Sequence, residues 1–124
     1  MAELEVIKWS RSVKDMPKKS IIQLQLSVHC HLQGIHISPA DLDCLTLLGL
    51  NGKVGLTAFC SMLLDEKIFG SIQSSRNAIG RLVRTKNLII KEGRNRKKIS
   101  LEPSLKIQSK GNILVDIKCF SPAQ

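Results

Sequence analysis

The segment Ser71 to Arg84, SIQSSRNAIGRLVR, constrains this chain more than any other. At about 100° per residue, Ile72, Ser75, Ala78, Ile79, Leu82 and Val83 fall on one arc. Gln73, Ser74, Arg76, Asn77, Gly80, Arg81 and Arg84 fall on the opposite one. Ser71 is a good N-cap for it, because its hydroxyl oxygen can accept from an unpaired N–H of the first turn. The pattern predicts a helix from Ile72 to about Arg84, one face in a core and the other carrying side chains that hold phosphates and base edges.

A core needs other elements, and the flanking sequence predicts them. Ser38-Pro39 places an N-cap before a proline at the first helical position, and Asp41 and Asp43 suit the positive end of the helix dipole. Leu42, Leu45, Leu48 and Leu50 supply the apolar face before Asn51-Gly52 stops the helix. Lys53 to Gly55 is long enough only for a short extended link. Thr57 reads as the N-cap of a second helix, with Phe59, Cys60, Leu63 and Leu64 on one face, and Ile68-Phe69-Gly70 forms a tight turn into the third. After that third helix, the apolar run Leu88-Ile89-Ile90, the loop Lys91 to Lys98 and Ile99-Ser100-Leu101 read as a hairpin around a basic, Gly-containing tip.

Charge falls on the same elements. Between Arg76 and Lys110 stand eleven Lys/Arg against Glu92 and Glu102, a local charge of +9, whereas the rest of the chain is neutral. Basicity confined to a helix face and a hairpin tip is the footprint of a polyanion partner. Aromatic residues are only Trp9, Phe59, Phe69 and Phe120. That leaves few rings for stacking on unpaired bases and favours a duplex.

The flanks are less direct. Glu3 to Trp9 reads as a strand, Ser10 to Lys19 as a polar connector, and Ile113 to Phe120 as a last strand with Ile113, Val115, Ile117 and Cys119 on one face. Residues 20–33 carry two periodicities. Ile22, Leu24, Leu26, Val28, Cys30 and Leu32 alternate as in a strand, while Ile21, Leu24, Val28 and Leu32 mark a helical stripe that Gly34 would end. The Leu, Gln and His content favours the helix. Three units follow: an N-terminal strand and helix flank at 1–37, a core at 38–101, and a C-terminal extension with a strand at 102–124.

Three helices and a basic hairpin resemble the winged helix-turn-helix family. The likeness rests on Leu56-Thr57-Ala58-Phe59-Cys60, on Gln73 to Ile79, and on the run from Leu82 through Leu88-Ile89-Ile90 to Arg94-Asn95-Arg96-Lys97-Lys98-Ile99. It implies an α+β, mainly α fold: a three-helix core plus a β-hairpin wing, with short flanking strand and helix elements. It also implies duplex DNA as partner, with the third helix in the major groove. Gln73, Ser74 and Asn77 would then contact bases, and Arg76, Arg81 and Arg84 would hold phosphates, one of them able to read guanine. Arg94, Asn95, Arg96, Lys97 and Lys98 of the wing would follow the backbone or enter the minor groove. The hairpin with Leu101-Glu102-Pro103-Ser104-Leu105 and Gly111 also resembles the wing and trailing segment of some plasmid and phage replication or regulatory proteins. The expected role is regulation of transcription or replication by a protein of a mobile element, in the cytoplasm, nucleoid-associated or within a phage-related assembly, with a homodimer built through the flanks.

The competing reading is a winged-helix protein-interaction or structural module in a nucleoprotein or phage assembly, since fold alone does not set function. An enzyme is disfavoured: there is no nucleophile elbow, phosphate-cradling loop or H-E-x-x-H motif. His29-Cys30-His31 with His36 lacks a second ligand pair at zinc spacing, so neither metal nor cofactor is expected. The four cysteines are dispersed, as reduced core thiols are, and no apolar run approaches a membrane span or export signal.

Overall fold

A computed structural model describes residues 17–108 in full and the backbone of the strands at 2–12 and 112–122. The chain runs β1 (Ala2–Ser12), α1 (Lys18–Leu32), α2 (Pro39–Asn51), β2 (Val54–Gly55), α3 (Leu56–Asp65), α4 (Ile72–Arg84), β3 (Ile89–Glu92), β4 (Lys98–Leu101) and β5 (Asn112–Pro122).

The ambiguous segment is helical. α1 ends in a Schellman motif: Gly34 takes φ 67°, Ile35 N–H donates to Cys30 O at 2.8 Å and Gly34 N–H to His31 O at 3.2 Å. Its buried residues are Ile21, Ile22, Leu26 and Cys30. The expected stripe through Leu24, Val28 and Leu32 therefore does not face the core. Ile22, Leu26 and Cys30 join the cluster formed by the other helices, so a segment read as a flank belongs to the core.

Local capping chemistry acts as expected in α2 and α4. Ser38 Oγ accepts from Asp41 N–H at 3.1 Å ahead of Pro39, and Gly52 at φ 68° closes α2. Ser71 Oγ accepts from Ser74 N–H at 3.0 Å to start α4. α3 departs from expectation: it begins at Leu56, capped by the backbone of Gly55, and Thr57 lies inside its first turn. The cause is pairing across the molecule. Val54 and Gly55 register with Ile99 and Lys98, and Leu56 N–H donates to Lys97 O at 2.7 Å, so the sheet fixes where the helix begins and satisfies one of its first N–H groups.

β3 and β4 form the expected hairpin, Ile89 opposite Leu101 and Glu92 opposite Lys98. With β2 they make a three-stranded antiparallel sheet of order β2-β4-β3. Asn87 at φ 55° turns the chain from α4 into β3, a left-handed position that asparagine tolerates better than most residues. Leu26, Leu45, Leu48, Phe59, Leu63, Ile79, Leu82, Leu88, Ile89 and Ile99 are fully buried and join helices and sheet in one core. Burial at roughly 1.5–3 kcal/mol for each such side chain is the main force holding the wing to the helices.

β1 and β5 pair antiparallel over their whole length, Ala2 opposite Pro122 and Ser12 opposite Asn112. The two outer strands thus pair with each other. The expected apolar face of Ile113, Val115, Ile117 and Cys119, any cover those strands give the core, residues 13–16 of the connector, Lys110 and Gly111 lie outside the described residues.

Candidate nucleic-acid interface

α4 holds its two arcs with two exceptions. Ser75, Ala78, Ile79 and Leu82 are buried, and Gln73, Ser74, Arg76, Asn77, Arg81 and Arg84 are exposed. Ile72, assigned to the apolar arc, is 39% exposed at the first turn. Gly80, assigned to the polar arc, is buried because Arg84 folds back over it: a Cβ at residue 80 would sit 2.7 Å from Arg84 Nη2. The buried Ser75 hydroxyl is satisfied by donating to Ser71 O at 3.0 Å.

The polar side chains of this face are partly organised by one another. Gln73 Nε2 donates to Asn77 Oδ1 at 2.9 Å, an i,i+4 pair that holds both amides along the first two turns. Ser74 Oγ accepts from Ser71 Oγ at 2.9 Å, so its hydroxyl is engaged in the cap. Arg81 Nη2 donates to Asp41 Oδ1 at 3.2 Å, tying α4 to the first turn of α2. Its role is therefore structural as well as electrostatic, and its pairing partner lies forty residues away in sequence.

The wing tip is a short 3-10 turn, Arg94–Arg96, with Gly93 at φ 87°, Asn95 at 59° and Arg96 at 53°. Two successive left-handed non-glycine residues reverse the chain tightly and leave Arg94, Asn95, Arg96, Lys97 and Lys98 exposed. Glu92, one of the two acids in the basic stretch, turns to Lys53 at 3.0 Å and accepts from Ser100 Oγ at 3.4 Å. It does not neutralise the tip. Among the described residues Arg76, Arg84, Arg94, Arg96, Lys97 and Lys98 take part in no ion pair.

Helix and wing meet at a groove of about 410 Å³ lined by Leu56, Val83, Arg84, Lys91, Asn95, Arg96 and Lys97. Its lining combines the cations Arg84, Lys91, Arg96 and Lys97 with the apolar Leu56 and Val83. Arg84 of the helix and Asn95, Arg96 and Lys97 of the wing are thereby brought together, while Gln73, Ser74 and Asn77 lie towards the other end of α4. Lys91 lines the groove but was not among the sequence-derived site residues. The sequence places it in the hairpin loop, whereas the structure puts it in β3 opposite Ile99, which turns it to the groove.

The thiols stand apart from this surface. Cys30, Cys44 and Cys60 are free and buried. Burial, aided by Asp41 and Cys60, pushes the Cys44 thiol up to about 12, and burial also raises Cys30 and Cys60. Among the described residues no three His, Cys, Asp or Glu side chains converge as a metal site, and no helix is long and apolar enough to cross a membrane.

Helices α2, α3 and α4 followed by the β3–β4 hairpin, with β2 closing the sheet, make a winged helix-turn-helix fold. The chain is similar to a solved structure described as a zinc uptake regulator complexed with zinc and DNA, at a TM-score of 0.55 and 15% sequence identity. The likeness covers 68% of this chain and 56% of that one, so it spans little more than half the length of its counterpart. No protein-family model matches the sequence, and no curated protein matches it.

Proposed function

We propose that this chain binds duplex DNA, with the exposed face of α4 in the major groove and the β3–β4 wing on the adjacent backbone or in the minor groove, as a non-enzymatic cytoplasmic regulator of transcription or replication. The observation that carries this reading is the shared groove between α4 and the wing, flanked by cations that no acid of the described residues neutralises. An α-helix fits the major groove of B-DNA, and the paired amides of Gln73 and Asn77 present the donors and acceptors that adenine edges require. Arg76, Arg84, Arg94, Arg96, Lys97 and Lys98 supply the phosphate contacts that give affinity, and Ser74 and Arg81 contribute mainly through the cap and the α2 contact. The homodimer expected from the flanks belongs to this reading, because one module of this kind covers a half-site. The zinc uptake regulator is bound to DNA in its own structure, which supports the reading by analogy of fold.

Titration of a labelled mixed-sequence duplex at several salt concentrations is the test. Affinity should fall with salt at a log–log slope near −0.9 for each phosphate contacted. Asn77→Ala and Gln73→Ala should flatten the preference found by selection from a random duplex pool more than they weaken general binding. Salt-independent binding, or none at low salt, would remove the reading in favour of a protein-interaction module.

A further inference from the structure

An alternating apolar and polar sequence, once wound into a helix, acquires two apolar stripes. Residues two apart lie about 200° round the axis and residues four apart about 40°. In α1 the alternating set sorts accordingly. Ile22, Leu26 and Cys30 enter the core, whereas Leu24, Val28 and Leu32 form a second stripe that is 38%, 42% and 74% exposed. Of the four large hydrophobic residues exposed among the described residues, three are in this stripe.

The surroundings of the stripe say what kind of partner suits it. From Ser20 to Ala40 there is no Lys, Arg, Asp or Glu, in a chain whose formal charge is +9. An acidic partner would be drawn to α4 and the wing, not here. Two copies of the chain repel wherever their basic surfaces approach within about a Debye length, on the order of 10 Å. They meet with least repulsion on the helix segment that carries no formal charge. The stripe is also symmetric about its centre: Leu24 and Leu32 stand four residues to either side of Val28, and Gln23 and Gln33 five. A twofold axis at Val28 sets two antiparallel copies of α1 with Val28 against Val28 and Leu24 against Leu32 of the second copy, which is the self-complementarity a closed dimer requires.

We propose that Leu24, Val28 and Leu32 are the seam on which a second copy of this chain packs, α1 antiparallel to α1. The inference deepens the DNA-binding reading, on which it rests for its purpose though not for its geometry. Three side chains per copy fall well short of the roughly 1,200 Å² that a stable complex buries, so the free dimer is weak, with a Kd on the order of 10–100 µM. DNA carrying two half-sites holds two copies at high effective concentration and strengthens it.

Sedimentation of the full chain up to about 500 µM tests the seam. Wild-type protein is expected to show a concentration-dependent dimer, and Leu24→Lys and Leu32→Glu should each sediment as monomers. An equimolar mixture of the two variants should recover a dimer, because the ammonium introduced at 24 then faces the carboxylate introduced at 32 across the antiparallel pair. Recovery also shows that both variants fold. A wild-type monomer throughout the range, single variants that still dimerise, or a mixture that stays monomeric would overturn the proposal. Binding of a short duplex with room for one copy keeps the two readings separate. Single variants that bind it like wild type are expected, whereas a wild-type dimer that ignores DNA would refute the DNA-binding reading and leave the seam standing.

Discussion

Arg81 offers the sharpest test of how α4 would meet DNA, because the fold has already given it a partner. Its Nη2 stands 3.2 Å from Asp41 Oδ1, with the arginine side chain 53% exposed and the aspartate side chain 8% exposed. A half-exposed ion pair contributes about 0.5–1 kcal/mol after solvent screening. Moving Arg81 to a phosphate costs that contribution and leaves a nearly buried carboxylate without its cation, a further 1–3 kcal/mol or so. A single phosphate contact does not recover this sum at physiological salt. Arg81 should therefore stay on Asp41 when DNA binds, and Arg76 and Arg84 should carry the phosphates.

The salt dependence of binding separates these roles. Arg76→Ala should lower the magnitude of the log–log slope by about 0.9, and Arg81→Ala by less than half of that. Replacing Arg76, Arg81 and Arg84 together should cost about 1.8 in slope, two contacts and not three. Asp41→Asn removes the carboxylate while keeping its shape, and should steepen the slope towards one added contact as Arg81 is released. In urea unfolding, Arg81→Ala should lose about 1.5–4 kcal/mol, more than Asp41→Asn, because only the first leaves a buried charge unpaired. Fluorescence anisotropy of one labelled duplex reads all four slopes. Equal losses for Arg76→Ala and Arg81→Ala would refute the argument that the α2 contact outlasts DNA binding.

Two further outcomes follow from single positions. Gly80→Ala should stabilise α4 by about 0.5–1 kcal/mol in thermal or urea unfolding, since the clash it creates is with the mobile end of Arg84; duplex affinity should nonetheless fall severalfold, because Arg84 is displaced and the helix face thickened where the DNA approaches. Cys44 makes stability depend on alkaline pH: the folded chain keeps a proton that the unfolded chain gives up above about pH 9, so its contribution is complete below pH 9 and is lost towards pH 12, at up to about 1.4 kcal/mol per pH unit. Urea midpoints measured from pH 7 to 11 should fall more steeply for wild type than for Cys44→Ala, and parallel curves would exclude this origin.

What was legible in the sequence was mostly local chemistry. Ser38-Pro39, Gly34, Asn51-Gly52 and Ser71 end or start helices through bonds made within a few residues, so their meaning is carried by their neighbours. The hairpin and its basic tip were legible for the same reason. What was hidden depends on partners distant in sequence. Thr57 looks like a cap until Val54 and Gly55 pair with β4 and Lys97 O accepts from Leu56 N–H, which starts α3 one residue earlier. Arg81 looks like a free phosphate ligand until α2 brings Asp41 beside it. Gly80 counts as polar surface until Arg84 covers it. The groove between α4 and the wing could be anticipated as a neighbourhood of charges, yet the presence of Lys91 in its wall depends on strand register.

The alternation in residues 20–33 shows how a correct element can hide an incorrect face. Strand and helix periodicity were both present because the segment has two apolar stripes, and choosing the helix still left open which stripe is inside. Gly49 settles this physically. A Cβ there would lie 2.9 Å from Ile22 Cγ2 and 3.0 Å from Leu101 Cδ1, so α2 carries a glycine where α1 and the end of β4 press on it together. Ile22, at the start of the Ile22, Leu26, Cys30 stripe, fills that contact, and Leu24, Val28 and Leu32 are turned outwards on the same helix. Beside this close approach a cavity of about 330 Å³ opens between α1, α2 and β4, lined in part by Ile22, Gly49 and Leu101. The inner stripe of α1 packs on α2, and α2 holds Arg81 of α4 through Asp41. The uncharged segment and the cationic face are thus joined through one helix, with a tight apolar contact on one side of it and an ion pair on the other.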